Sequence, residues 1–381
     1  MNQAPVQSRI DIEREGKFWG PPETLDKLGN RYQTQQITQL YLSTPGDEFE
    51  LRVRRTVLAD NTESCTATLK SRPEFDGATI ERLEMETEIA KETYEYWSQQ
   101  GLPVVEKTRC DYGSGLTVDW IKGIDAPLIE LEARTDCTME ELIRRTLAYE
   151  YLRRHCRPAD DSAFSENIAH RGLEWSETAP LTVADIINPL INGQINPSID
   201  NPYIIAIAGR SGSGKSTIAH QVQEELENRQ ISAQIVCVDD YIKGLAWLQD
   251  QLGDQPLNYD LPGFFDTSTC ARELSERIEL GTPLPEHRYN WNTQEPDPVK
   301  PVDTLSPVII LEGIYADSPD LADVVNVLYT VPTGVATCVG RRLARSLSGE
   351  QLGGLPPEDQ LRYYLTSAEP TYRQAHGLSQ D

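Results

Sequence analysis

The chain has 381 residues, 38% hydrophobic and 25% charged, with a formal charge of −25 at pH 7; that suits folded protein of two domains rather than one domain or disorder. So acidic a protein is a poor general partner for DNA or an anionic membrane, and any polyanion it handles must enter a pocket lined with local cations. No stretch reaches the roughly 18 apolar residues of a membrane span. The first residues lack the marks of a secretory signal. The seven cysteines, with no CxxC pair, read as reduced thiols of a cytoplasmic protein, not as disulfides or a zinc site.

From Arg9 to about Glu132 short segments alternate polar and apolar residues, with turn signals at Pro45-Gly46-Asp47 and Asp76-Gly77, the pattern of antiparallel strands. Because strand side chains alternate between faces, charges share a face in each of several rows. These are Glu13, Glu15 and Lys17; Arg52 and Arg54; Arg82, Glu84, Glu86 and Glu88; Lys107 and Arg109; and Glu130 and Glu132, with Lys70 and Asp119 as single charges. One such face is ordinarily solvent-exposed. Several in one small β domain either all point outward or converge on the lumen of a closed barrel, where carboxylates stay ionised only against cations or metals. Interleaved acidic and basic rows suit a metal-chelated polyphosphate, with carboxylates on a hard divalent cation and Lys/Arg on phosphate oxygens. A helix follows, capped by Thr138 with Glu141 completing a capping box, its apolar stripe formed by Met139, Leu142, Ile143, Leu147 and Tyr151.

From Arg157 to about Pro202 the prolines 158, 180, 189, 197 and 202 and many Asn and Asp mark a long connector with a short helix near Val183–Ile187. The expected division is residues 1–157, 158–201 and 202–381. Tyr203–Ala208, Gln234–Val238 and Val308–Leu311 are apolar runs alternating with helical segments, the rhythm of a parallel sheet covered by helices.

Gly209-Arg-Ser-Gly-Ser-Gly214-Lys215-Ser216 matches GxxxxGK[ST] between a strand and a helix. In such a P-loop the backbone of Gly209, Ser211, Gly212, Ser213, Gly214 and Thr217 wraps phosphate oxygens at a helix N-terminus. Lys215 reaches the β- and γ-phosphates and Ser216 ligates Mg²⁺, so ATP with Mg²⁺ is the expected ligand. Asp239 and Asp240 follow the next strand, where ligands bind in open α/β sheets.

With Asn258-Tyr-Asp260-Leu-Pro-Gly-Phe-Phe-Asp266 and Glu312-Gly313, this region resembles the uridine kinase and phosphoribulokinase group of P-loop kinases from about Pro202 to Arg373. The resemblance implies Asp239 as general base, Asp260 in the acceptor pocket, Glu312 near the metal, and Arg341, Arg342 and Arg345 as lid arginines on the transferring phosphoryl group; a solvated helix face is the plainer reading of that cluster. The sequence departs from the group at Ile242, Tyr289-Asn290, Ser346 and Gly349–Gly354. It also ends soon after Glu369-Pro370, before the segment that commonly encloses adenine. Phosphate binding is therefore expected to be intact, with uridine not specified as acceptor.

The first half, from about Arg9 to His155, resembles the CYTH family of triphosphate tunnel metalloenzymes in its ordered Glu-x-Glu-x-Lys, Arg-x-Arg, Thr-Leu-Lys, Arg-x-Glu-x-Glu, Lys-Thr-Arg, strand Asp and Glu-x-Glu. That implies an eight-stranded antiparallel tunnel binding triphosphates with Mg²⁺ or Mn²⁺. Glu13, Glu15, Glu130 and Glu132 would be metal ligands supported by Glu84 and Glu86; Lys17, Arg52, Arg54, Lys70, Arg82, Lys107 and Arg109 would hold phosphates, with Lys17 also catalytic. The expected activity is hydrolysis of tripolyphosphate, pyrophosphate or a nucleoside triphosphate. Two alternatives stand beside it: a P-loop half that senses ATP without transferring phosphate, and a tunnel that binds polyphosphate without turnover.

Overall fold

The computed structural model describes residues 10–21, 33–76, 79–133, 138–159, 165–171, 179–347 and 355–378. Its first half is a closed barrel of eight antiparallel strands: β1 (Ile10–Trp19), β2 (Gln33–Tyr41), β3 (Phe49–Leu58), β4 (Glu63–Ser71), β5 (Thr79–Glu88), β6 (Val104–Asp111), β7 (Leu116–Ile121) and β8 (Leu128–Ala133). Around the wall the order is β1-β8-β7-β6-β2-β3-β4-β5, and β5 returns to β1. The N-terminal part of β1 pairs with β5 in the register Glu13↔Arg82, and its C-terminal part with β8 in the register Lys17↔Glu130. Closure leaves no free edge, so every strand has an inner and an outer face. The Pro45-Gly46-Asp47 turn joins β2 to β3 as expected; Gly77 of the second turn signal lies outside the described residues.

Helix α1 (Lys91–Ser98) and helix α2 (Met139–His155) cover parts of the outer wall. Of the apolar stripe expected on α2, Met139 and Leu147 are exposed, and the side chains of Glu141, Leu142 and Ile143 lie outside the described residues. Tyr151 of that stripe packs at the barrel beside fully buried Leu152, and Tyr149 meets Phe18 of β1 edge-on.

Two helices within the described parts of the 158–201 stretch pack onto the halves. Helix α3 (Ser165–Ala169) packs at the barrel, where buried Glu166 accepts from Ser43 and Arg72. Helix α4 (Val183–Ile191) carries a Thr182/Asp185 capping box and buries Ile186, Ile187 and Leu190 against the second half.

That second half is a parallel sheet in the order β10-β11-β9-β12, with β9 (Tyr203–Ala208), β10 (Ala233–Cys237), β11 (Val308–Gly313) and β12 (Val327–Thr330). The central strands β9 and β11 are almost wholly buried, as an apolar run covered on both faces must be. Helix α5 (Lys215–Glu227) joins α4 on one face, while α6 (Leu245–Leu252) and α7 (Thr267–Leu280) cover the other. Among the described residues no helix is long and apolar enough to cross a membrane, and Cys65, Cys110, Cys237, Cys270 and Cys338 are free thiols.

The chain ends in α8 (Val335–Leu347), α9 (Pro357–Tyr363), a π-helical turn (Tyr364–Ala368) and α10 (Glu369–Ala375). Together they form a core with the outer wall of the barrel: Leu51, Val53, Ala67, Leu69, Met85 and Trp97 meet Val339, Leu343, Leu361, Leu365 and Ala368. Trp97 Nε1 donates to the Leu365 carbonyl at 3.1 Å. Arg362 of α9 donates to the Glu88 carbonyl at 3.0 Å and to Thr87 Oγ1 at 2.7 Å. At Gly340 a Cβ would stand 2.3 Å from the Phe49 ring, so only glycine lets the helix approach the strand this closely. Gly340→Ala is expected to cost about 1–3 kcal/mol by overpacking; an unchanged urea midpoint would show that this seam is not close-packed.

Candidate functional site

The barrel encloses a cavity of about 390 Å³. It is lined by every glutamate, lysine and arginine assigned to phosphate or metal in the first half: Glu13, Glu15, Lys17, Arg52, Arg54, Lys70, Arg82, Glu84, Glu86, Lys107, Arg109, Glu130 and Glu132. Period-two alternation brings them together, since each occupies an inward position of its strand. Glu88, at the end of β5, is instead exposed. Asp11 and Glu50 line the cavity as well and were missed. Both stand two residues before a charged row and share its face, so the same periodicity could have found them. Ser165 of α3 completes part of the lining.

Opposite charges interlock throughout. Lys70 Nζ lies 2.8 Å from Glu13 and 3.0 Å from Glu84. Arg82 reaches Glu13 at 2.6 Å, Glu15 at 3.1 Å and Glu50 at 3.2 Å. Lys17 bridges Glu15 at 2.9 Å and Glu130 at 2.5 Å. Fully buried Asp119 takes Lys107 at 2.6 Å and Arg109 at 2.7 Å, and Arg109 extends to Glu130.

Burial pushes the Glu13 carboxyl up, but Lys70, Arg82 and Lys17 outweigh it and hold the group well below the carboxylate range. Burial acts on Glu130 in the same sense and is overcome by Lys17, Arg109 and Lys107. Lys107 is the converse case: burial, with Arg109 and Arg54 nearby, lowers its ammonium to about 8 despite Asp119. Among the described residues no three Asp, Glu, His or Cys converge as a ready metal cluster; Glu13, Glu15, Glu50, Glu84, Glu86 and Glu130 are each turned onto a cation. The donor set is nonetheless all carboxylate oxygen, the chemistry of Mg²⁺ and Mn²⁺.

The second site is a cleft of about 1150 Å³ at the C-terminal ends of β9, β10 and β11. Ser211 to Thr217 of the P-loop line it, with Asp239, Asp240, Asp260, Glu312, Arg341, Arg342 and Arg345. Gly209, Gly212 and Gly214 have φ of 146°, 85° and 99°, and a Cβ on Gly212 would stand 2.4 Å from the Cys338 carbonyl oxygen. The loop therefore needs glycine both to turn and to lie against α8. Lys215 Nζ donates to the Arg210 carbonyl at 3.1 Å, and Arg210 is held at 3.0 Å by Glu369, fully buried in α10.

Ser216 Oγ donates to Glu312 Oε1 at 3.0 Å, while Glu312 Oε2 is buried without a hydrogen-bond partner among the described residues. An orphaned carboxylate oxygen beside that hydroxyl fits a divalent cation. Asp239 accepts from the Ile314 amide at 3.3 Å. Burial raises its carboxyl to about 6, with Glu312 adding to the rise and Lys215 opposing it. A carboxylate poised there is suited to take a proton near neutral pH.

Sequence reasoning did not find Tyr363, whose hydroxyl donates to Asp260 Oδ2 at 2.5 Å, nor Thr333, whose hydroxyl donates to the Ser213 carbonyl at 2.8 Å. Neither falls in a motif; the packing of the C-terminal helices delivers them. Two of the α8 arginines reach the P-loop, Arg342 donating to Ser211 Oγ at 3.1 Å and Arg341 approaching the Ser213 carbonyl at 3.4 Å, whereas Arg345 is exposed.

Residues 204–349 match the model of the phosphoribulokinase / uridine kinase family. A uridine kinase of Lactobacillus johnsonii is 31% identical over 177 residues, which is 45% of this chain and 80% of that protein. One from Limosilactobacillus reuteri is 30% identical over 181 residues, covering 45% and 77%. No family model matches the barrel. The crystal structure of the inorganic triphosphatase NE1496 overlaps 42% of this chain and 96% of its own at 22% identity and a TM-score of 0.25, too distant a likeness to carry an argument.

Proposed function

We propose, from the premise that this chain belongs through its C-terminal half to the phosphoribulokinase / uridine kinase family, that it joins two handlers of metal-bound polyphosphate: a tunnel that hydrolyses an inorganic polyphosphate and a cleft that transfers phosphate from ATP to a small hydroxyl acceptor.

The observation that carries the tunnel reading is its lining. Among the described residues every lining residue apart from Gly115, Thr117 and Ser165 is charged, and none of them is aromatic or aliphatic. Such a cavity offers a nucleobase nothing to stack on, which favours tripolyphosphate or pyrophosphate over a nucleoside triphosphate. Phosphate oxygens would take over Lys17, Arg52, Arg54, Lys70, Arg82, Lys107 and Arg109, releasing Glu13, Glu15, Glu130 and Glu132, with Glu84 and Glu86, to hold the accompanying Mg²⁺ or Mn²⁺. When bound, such a cation polarises phosphoryl oxygens and acidifies water. Lys17 and the arginines then neutralise charge on the leaving group, pyrophosphate from tripolyphosphate or phosphate from pyrophosphate, as water attacks the terminal phosphorus.

In the cleft, Lys215 and the P-loop amides would grip the β- and γ-phosphates, and Ser216 and Glu312 would hold Mg²⁺. Asp239 would take the acceptor hydroxyl's proton, with Asp260, fixed by Tyr363, in the acceptor pocket.

Phosphate release from tripolyphosphate is expected to fall at least a hundredfold in Glu15→Gln and to survive in Lys215→Ala, measured with Mg²⁺ and with Mn²⁺. Tight tripolyphosphate binding without release would instead make the tunnel a binding module. Because Lys107 loses its charge above about pH 8, tripolyphosphate should bind more weakly as pH rises through 8. The Lys107→Arg variant, charged throughout, cancels the ligand's own titration; parallel pH profiles of the two proteins would reject the role given to Lys107. Against a panel of nucleosides and other small alcohols, Asp239→Asn should lose about 10²–10⁴-fold in turnover while still binding ATP. A wild type that binds ATP yet phosphorylates nothing on a broad panel would favour the ATP-sensing alternative.

A further inference from the structure

The turn of the barrel that leads into β3 meets the α8 segment, whose Arg341 lines the nucleotide cleft. Three positions of the α8 segment face that turn: Gly334, Thr337 and Arg341, spaced three and four apart and so on one side of the helix. At Gly334 a Cβ would stand 2.0 Å from Asp47 Oδ1. Thr337 Oγ1 donates to Asp47 Oδ1 at 2.9 Å and accepts from the Glu48 amide at 2.9 Å, with Thr337 and Asp47 both buried. One turn on, Arg341 meets the Glu48 carboxylate through two nitrogens, Nε to Oε2 at 3.1 Å and Nη2 to Oε1 at 2.5 Å. Its remaining nitrogen, Nη1, lies 3.4 Å from the Ser213 carbonyl, beside Gly214 of the P-loop.

We propose that Glu48, supplied by the barrel, is a positioning residue of the nucleotide cleft: it holds Arg341 by the far edge of its guanidinium so that Nη1 is presented to the terminal phosphate. This rests on the reading that the cleft binds a nucleoside triphosphate. The fork of an arginine has two usable edges, and Glu48 occupies the one that points away from the P-loop. A rotamer-rich side chain already held in place loses less freedom when phosphate arrives. An exposed ion pair is ordinarily worth little. This one differs in being bidentate and in having its carboxylate backbone fixed by Thr337 on the same helix. Neither half of the chain contains the arrangement alone, because the arginine and its holder come from opposite ends of the sequence.

The test uses the full chain and titrates Mg²⁺ with β,γ-imido-ATP and with ADP by calorimetry, counting as cleft binding only what Lys215→Ala removes. Glu48→Gln is expected to weaken the triphosphate analogue about two- to fivefold, with ADP affinity and the thermal midpoint unchanged. In an Arg341→Gln background the same change should have no further effect. Equal weakening of both nucleotides, or a lowered thermal midpoint, would reduce Glu48 to a structural contact and overturn the proposal. Tighter binding of the analogue would make Glu48 a competitor for Arg341 and overturn it as well. If the wild type binds neither nucleotide in a Lys215-dependent way, the reading of the cleft fails and the proposal falls with it. If both bind normally and Glu48→Gln changes nothing, only the positioning role is lost.

Discussion

The two-residue period of strand β3 is the constraint on which both halves depend. Inward, Glu50, Arg52 and Arg54 line the tunnel; outward, Phe49, Leu51 and Val53 lie against the C-terminal helices. A single backbone thus forms part of the tunnel wall and part of the seat of α8, which lines the cleft. A one-residue slip would put arginines into the apolar seam and leucine into the tunnel, so pairing on both sides holds the register tightly. The close approach of Phe49 to Gly340 adds a steric lock at the same strand.

Inside the barrel the governing term is desolvation. An unpaired carboxylate or ammonium in so enclosed a space is costly, and removing one partner of a buried pair costs more than the pair contributes. The interior answers with a chain of alternating signs from Glu84 through Lys70, Glu13, Arg82, Glu15 and Lys17 to Glu130, Arg109, Asp119 and Lys107. Such a network suits a ligand that itself carries both signs. A bare anion would displace carboxylates and leave them stranded, whereas a cation–polyphosphate chelate offers each released group a new partner.

The cleft depends on helices that would otherwise have little reason to sit where they do. Glu369 of α10 fixes Arg210 at the base of the P-loop, and Tyr363 of α9 reaches Asp260. Arg362, next to Tyr363, is tied to the end of β5. The barrel is therefore part of the scaffold that orients the cleft, which explains how a kinase-like half keeps its helices placed beside so large a neighbour.

Period-two charge rows, the P-loop with its flanking strand and helix, and strand-end Asp239 and Glu312 are local patterns. Each depends only on strand or helix geometry within a few residues, so they could be read before any coordinates. Even Glu50 and Asp11 lay within reach of that reading. Tyr363, Thr333, Glu369 and Glu48 did not, because their roles arise where segments hundreds of residues apart in sequence are brought together. The exposed Met139 and Leu147 of α2 make the same point from the other side, since an apolar stripe does not reveal which face finds a partner. The amino-acid sequence by itself determined which residues share a face and which loop can cradle phosphate, because those follow from backbone periodicity and glycine stereochemistry. Only the tertiary structure decided that the rows close into one interlocked tunnel and that its outer wall seats α8, because pairing of charges and packing of surfaces are set by residues distant along the chain.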